Sequence, residues 1–165
     1  MVDIREPSRA LQREQGNHLT AWPELPTDVR VMEDDDLPWL IDICKRRYVL
    51  KDGDPEAAAL WFKNFVTKNP LLFYPIRTEN AFLIAQLNVA PWQPSECECN
   101  ILQSCAEEGA MFELLKLFRA SINWGIRHRA TLWRVTSDTW ADLGPLAKRV
   151  GCNQQTPRYW MRIGV

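Results

Sequence analysis

Glu96-Cys97-Glu98-Cys99-Asn100-Ile101-Leu102 alternates polar and apolar residues as a strand does, Ser104-Cys105-Ala106-Glu107-Glu108-Gly109-Ala110 follows as a turn, and the run from there to Gly125 has a helical period. In that last stretch Met111, Leu114, Leu115, Phe118 and Ile122 recur three and four apart, which predicts one buried stripe. Gly125 stands where a helix stop is expected. The stretch therefore reads as strand, turn and helix, and its flanks decide what it is embedded in.

Working toward the N-terminus, Ala90-Pro91-Trp92-Gln93-Pro94-Ser95 is a linker, and Leu71 to Arg77 and Ala81 to Val89, joined by Thr78-Glu79-Asn80, predict a hairpin. The second of these strands is almost continuously apolar and so central, whereas Pro75 puts the first near an irregular edge position. Asp54 and Pro55 predict a capped helix running to about Asn69. Glu33-Asp34-Asp35-Asp36 predicts the cap of a helix from about Leu37 to Tyr48, preceded by a short strand, Val29 to Met32. Residues 1–28, with Pro7, Gly16, Pro23, Pro26 and only scattered apolar positions, form an arm; residues 29–165 form the domain. Toward the C-terminus, Thr131 to Val135 is a strand, Trp140 to Val150 a helix ended by Gly151, and Pro157 to Ile163 a last strand. Hairpins mixed with crossover helices imply an α/β chain, one mixed sheet with helices on both faces.

The 165 residues suffice for one domain with a core, and a net charge of -1 supplies no field toward nucleic acid or membrane. That total is uneven: residues 1–112 carry 11 Lys/Arg against 18 Asp/Glu, and residues 113–165 nine against three. Five cysteines form no even framework and no stretch approaches a membrane span, which together predict a reducing, cytoplasmic setting. Cys97 and Cys99 share a strand face at a spacing too short for a metal turn, so no metal site is expected. No Walker loop, Rossmann fingerprint or nucleophile with a histidine partner is present, and no nucleic-acid motif. His128, between Arg127 and Arg129, reads as a surface loop residue. Eight tryptophans are many for this length; most would pack in the core, and Trp22 in the arm and Trp92 between two prolines are the candidate partner anchors.

From about residue 29 to 163 the succession of elements resembles the GCN5-related N-acetyltransferase fold. In that family the turn after the fourth strand carries Q/R-x-x-G-x-G/A, whose backbone amides cradle the CoA pyrophosphate. Setting Gly125 on the family's glycine puts Cys105 at the Q/R position, Glu108 at the first small residue and Ala110 at the second. Only Ala110 agrees, and Glu107 and Glu108 bring negative charge to a phosphate site. Setting Gly151 on the glycine of the second family motif puts Ala147 where many members carry a tyrosine that protonates the departing thiolate.

The resemblance implies two alternatives. In the first the chain is a degenerate acetyltransferase-like structural protein with no cofactor; it is similar in size and element order to such domains in tailed-phage virions. It would then be assembled in the host cytoplasm into a virion or connector, touching other protein subunits through its arm. In the second it is a soluble cytoplasmic N-acetyltransferase using acetyl-CoA, with the backbone of Glu108, Gly109, Ala110 and Met111 holding the cofactor and Glu98, or Glu96, as base for the amine. Direct attack on a thioester depends on positioning more than on acid-base groups, so the lost tyrosine is compatible with activity.

Overall fold

Asp54 shows how directly the local signals act. Its Oδ1 accepts the amides of Glu56 at 2.9 Å and Ala57 at 3.2 Å, Pro55 takes the first helical position, and a helix follows. The computed structural model describes residues 26–47, 54–89, 97–135 and 143–152. Its strands are β1 (Arg30–Val31), β2 (Phe73–Arg77), β3 (Ala81–Val89), β4 (Cys97–Ala106) and β5 (Leu132–Val135). Its helices are α1 (Leu37–Arg47), entered through a 3-10 turn Asp34–Asp36; α2 (Pro55–Trp61), which widens into a π-helical turn Phe62–Val66; α3 (Met111–Arg127); and α4 (Gly144–Arg149). The arm up to residue 25, Trp22, Trp92, Glu96 and the expected last strand lie outside the described residues.

One mixed sheet runs in the order β1-β2-β3-β4-β5, antiparallel except for the parallel pair β4–β5 that α3 connects. Alternation along the strands feeds two cores. Tyr74, Ile76, Leu83, Cys99 and Ile101 pack on α3 through Leu114, Leu117, Phe118 and Trp124; Phe73, Phe82 and Ile84 pack on Leu40, Ile43, Phe62 and Val66. Pro75 sits in the second strand, not at the edge. Its carbonyl accepts Met32 N at 2.9 Å on the β1 side, so its missing N–H falls where β1 has already ended.

Several expectations change. The strand Glu96 to Leu102 runs on to Ala106, so Cys105 belongs to the strand and the turn starts at Glu107. Met111 is 45% exposed and Ile122 half-buried, while Leu117, Ala120, Ser121 and Trp124 complete the buried face of α3. Gly125 is no stop. It is buried inside α3, and a Cβ there would come within 2.8 Å of Cys99 Cβ, so the glycine permits close approach of helix and strand. The helix closes three and four residues later, at His128 and at Arg129 with φ 60. His128 lies in the connection from α3 to β5 as expected but is half-buried there: it takes the C-cap position with its ring 4.9 Å from Trp124, which stacks on Tyr74, and burial lowers its pKa.

The acidic run before α1 does more than cap. Glu33 N donates to Asp36 Oδ2 at 3.0 Å, and Asp36, 6% exposed, also receives Arg30 and Arg77. Burial works to raise the Asp36 pKa, but the Arg30 and Glu33 hydrogen bonds and both guanidinium charges outweigh it and hold it below its ordinary value. Arg77 in turn lies 3.3 Å above the Trp39 ring, which meets Phe82 edge-on. This node pins α1 to β1 and β2.

Candidate functional site

β4 changes face midway. Cys99 and Ile101 belong to the α3 core, yet Cys105, four residues past Ile101, packs toward α1, and Ala106 is back on the α3 side. The register explains this: Ala85 pairs with Ile101 and Ile84 with Gln103, which leaves Leu102 as an extra residue, a bulge. Among the described residues β5 pairs with β4 from Glu98 to Ile101, and β4 runs on past the bulge to Ala106, beyond the described part of β5.

That extension leads into the turn. Glu107 N donates to Asn80 O at 2.8 Å, Ala110 N returns to Glu107 O at 3.0 Å, and Gly109 between them has φ +84, which a side chain would resist. α3 then begins, and its first-turn amides at Met111 and Phe112 have no intrahelical acceptor and carry the positive end of the helix dipole. Glu113 accepts Asn80 N at 3.1 Å and Asn80 Nδ2 at 3.0 Å, which ties the turn to the β2–β3 hairpin. Burial acts to raise the Glu113 pKa, but bonds from Thr78 and Asn80 hold it below its ordinary value.

The two turn carboxylates differ. Glu107 meets Arg46 of α1 at 2.5 Å, and the neighbouring Arg47 donates Nε to Ala106 O at 3.2 Å, so its charge is directed away from the turn and offset. Glu108 is exposed. Beyond it Phe112 is 70% exposed, with the Arg149 guanidinium 5.9 Å from its ring, which brings the basic last turn of α4 beside the start of α3.

The other expected residues lie on the first half of β4. Glu98 Oε1 accepts Arg134 Nη2 at 3.0 Å on the face opposite α3, four residues from the bulge or about 13 Å at the usual strand rise. Asn100 on the same face has a buried Oδ1 with no hydrogen bond among the described residues. No group of metal ligands occurs among the described residues, and burial pushes the Cys44 thiol up to about 11 and Cys99 up to about 12, which removes them as nucleophiles near neutral pH. Glu108, Gly109, Ala110 and Met111 are thus brought together at the end of the β4 extension, and Glu98 stands apart from them. Arg46, Asn80 and the Leu102 bulge are site features that the residue pattern did not single out. Two consecutive apolar residues, Ile101-Leu102, are the one trace of the bulge in the alternation.

No family model matches the chain, and no curated protein matches it in sequence. Solved structures do match in fold. A putative acetyltransferase from Agrobacterium tumefaciens is 14% identical with a TM-score of 0.65, covering 82% of this chain and 99% of its own. A predicted acetyltransferase with acetyl-CoA from Clostridium acetobutylicum is 18% identical with a TM-score of 0.61, covering 82% and 94%. AAC(6')-Iy in complex with a CoA-S-monomethyl-acetylneamine bisubstrate analogue is 12% identical with a TM-score of 0.63, covering 84% and 98%. The fold is GNAT-like, that of the GCN5-related N-acetyltransferases.

Proposed function

We propose that this chain binds acetyl-CoA and transfers the acetyl group to an amine. The observation that carries the reading is that β4 runs on past its described pairing with β5 and leads into an amide-bearing turn at a helix N-terminus. The residues fit the cofactor: the extension of β4 past its described β5 partners would run alongside the amide-containing pantetheine arm, and the first-turn amides of α3 at Met111 and Phe112 offer donors to its pyrophosphate. Solved acetyltransferases of this fold are described with acetyl-CoA and with a CoA-linked analogue. The Glu107–Arg46 ion pair answers the main electrostatic objection to a phosphate here, since it offsets one of the two turn charges.

The cofactor supplies an activated thioester carbonyl. The chain's part is to hold the acceptor nitrogen in line with it and to accept the proton the nitrogen releases. Glu98 is the base assigned to that proton, through water given its distance from the bulge; one of its oxygens is engaged by Arg134 and the other serves the relay. Ala147 supplies no acid, so the chain's contribution to the rate would rest on positioning. Calorimetric titration with acetyl-CoA tests the reading: a micromolar dissociation constant is expected, and no heat up to millimolar cofactor would sink it.

A second reading, a structural subunit contacting other proteins of a virion or connector in the host cytoplasm, is favoured by exposed Leu60, Phe65, Leu71, Leu72 and Val89 and by Glu108 at a small-residue position. Its anchors would be the arm, Trp22 and Trp92. Removing residues 1–28 tests it, because assembly unchanged by the truncation rules out the arm as anchor.

A further inference from the structure

The acidic turn raises a question the fold leaves open: how a site for a pyrophosphate tolerates Glu107. Arg46 reaches the turn from the last turn of α1, and each of its three guanidinium nitrogens meets a carboxylate. Nε and Nη2 hold Asp42 Oδ2 at 3.0 and 2.8 Å, and Nη1 holds Glu107 Oε1 at 2.5 Å. Three of the five Arg46 N–H donors are thus directed at carboxylates, which orients the guanidinium toward Glu107. Its neighbour Arg47 fixes the same helix end to Ala106 O at 3.2 Å, and Asn80 O fixes Glu107 N at 2.8 Å, so the ion pair closes a three-point attachment around the start of the turn.

Resting on the acyl-CoA reading, we propose that Arg46 is a positioning residue for anion capture: it draws the Glu107 carboxylate toward α1 and partly offsets its charge, so that the amides of the turn meet the phosphates without a free acid beside them. Asp42 keeps Arg46 in that orientation. The effect is electrostatic and acts through Glu107, so it must vanish when Glu107 carries no charge.

The test is a double-mutant cycle with calorimetric titration of CoA itself into the full chain at low and high salt. Arg46→Ala should weaken binding roughly five- to tenfold at low salt, the order expected for one uncovered charge near the ligand at the protein surface, and by less at high salt. Glu107→Gln should bind at least as tightly as the wild type, and Glu107→Gln with Arg46→Ala should match Glu107→Gln alone. A deficit that persists in the double variant, or an Arg46→Ala variant that binds as the wild type does, overturns the proposal. Should Arg46→Ala fold poorly, Glu107→Gln still decides: weaker binding than wild type means the carboxylate helps the ligand and the proposal is wrong. Absence of CoA binding by the wild-type protein is a separate result and defeats the acyl-CoA reading itself.

Discussion

The two halves of β4 are one strand with opposite surroundings. From Cys97 to Ile101 it is hydrogen-bonded on both sides, and α3 presses so near that only glycine fits at position 125. From Gln103 to Ala106 it keeps β3, runs beyond the described part of β5, and ends in the turn that starts α3. One inserted residue, Leu102, separates them, and the lesson is that scaffold and site divide at a bulge. Substitutions before the bulge should therefore cost stability, and those beyond it should cost ligand binding.

The largest stability effect belongs to Trp124, 1% exposed and stacked on Tyr74 with 5.0 Å between rings. Trp124→Ala should cost about 3–5 kcal/mol in urea unfolding, and a loss under about 1 kcal/mol would show that the α3 core is misassigned. Asp36→Asn comes next, at about 3 kcal/mol near neutral pH, because it strips Arg77 and Arg30 of a buried partner. Its pH signature has a definite sign. The folded Asp36 pKa lies below its ordinary value of 3.8, so its stabilisation is complete above that value and lost as pH falls through and beneath it. The variant should lack that segment of acid sensitivity; an unchanged acid profile would remove Asp36 from the account.

Gly125→Ala should cost about 1–3 kcal/mol despite alanine's better helix propensity, since the new Cβ meets the Cys99 Cβ at 2.8 Å. A variant more stable than wild type in the same unfolding measurement would contradict the close approach. Gly109→Ala sharpens the comparison from beyond the bulge. Nothing lies within 4 Å of the added carbon, so only the φ of +84 is penalised, at about 1 kcal/mol, while CoA affinity measured by calorimetry should fall further than stability does. Equal losses in both would blur the division at Leu102.

Much of the architecture could be read from residue order. Asp54 with Pro55, the apolar run Ala81 to Val89 and the Thr78-Glu79-Asn80 turn are local signals, and local geometry obeyed them. What failed was whatever depended on a distant partner. Gly125 looks like a stop because glycine usually ends helices; that it serves Cys99, 26 positions earlier, is a fact of packing. Ser104, Cys105 and Ala106 look like a turn because they are small and polar, yet β3 was long enough to extend the ladder over them. At the site, Glu107 reads as an obstacle to phosphate until Arg46, 61 positions away, is seen beside it. The candidate cofactor residues were legible through the strand–turn–helix order alone, whereas the extent of the β4–β5 pairing depends on a partner that no residue type in β4 announces.

The central claim, that the half of β4 from Leu102 onward is the ligand edge, is tested most directly by amide hydrogen exchange along β4 and the start of α3 with and without acetyl-CoA. Protection should rise from Leu102 to Phe112 on adding the cofactor and stay unchanged from Cys97 to Ile101. Equal change in both halves, or none from Leu102 to Phe112 at saturating cofactor, would contradict the account.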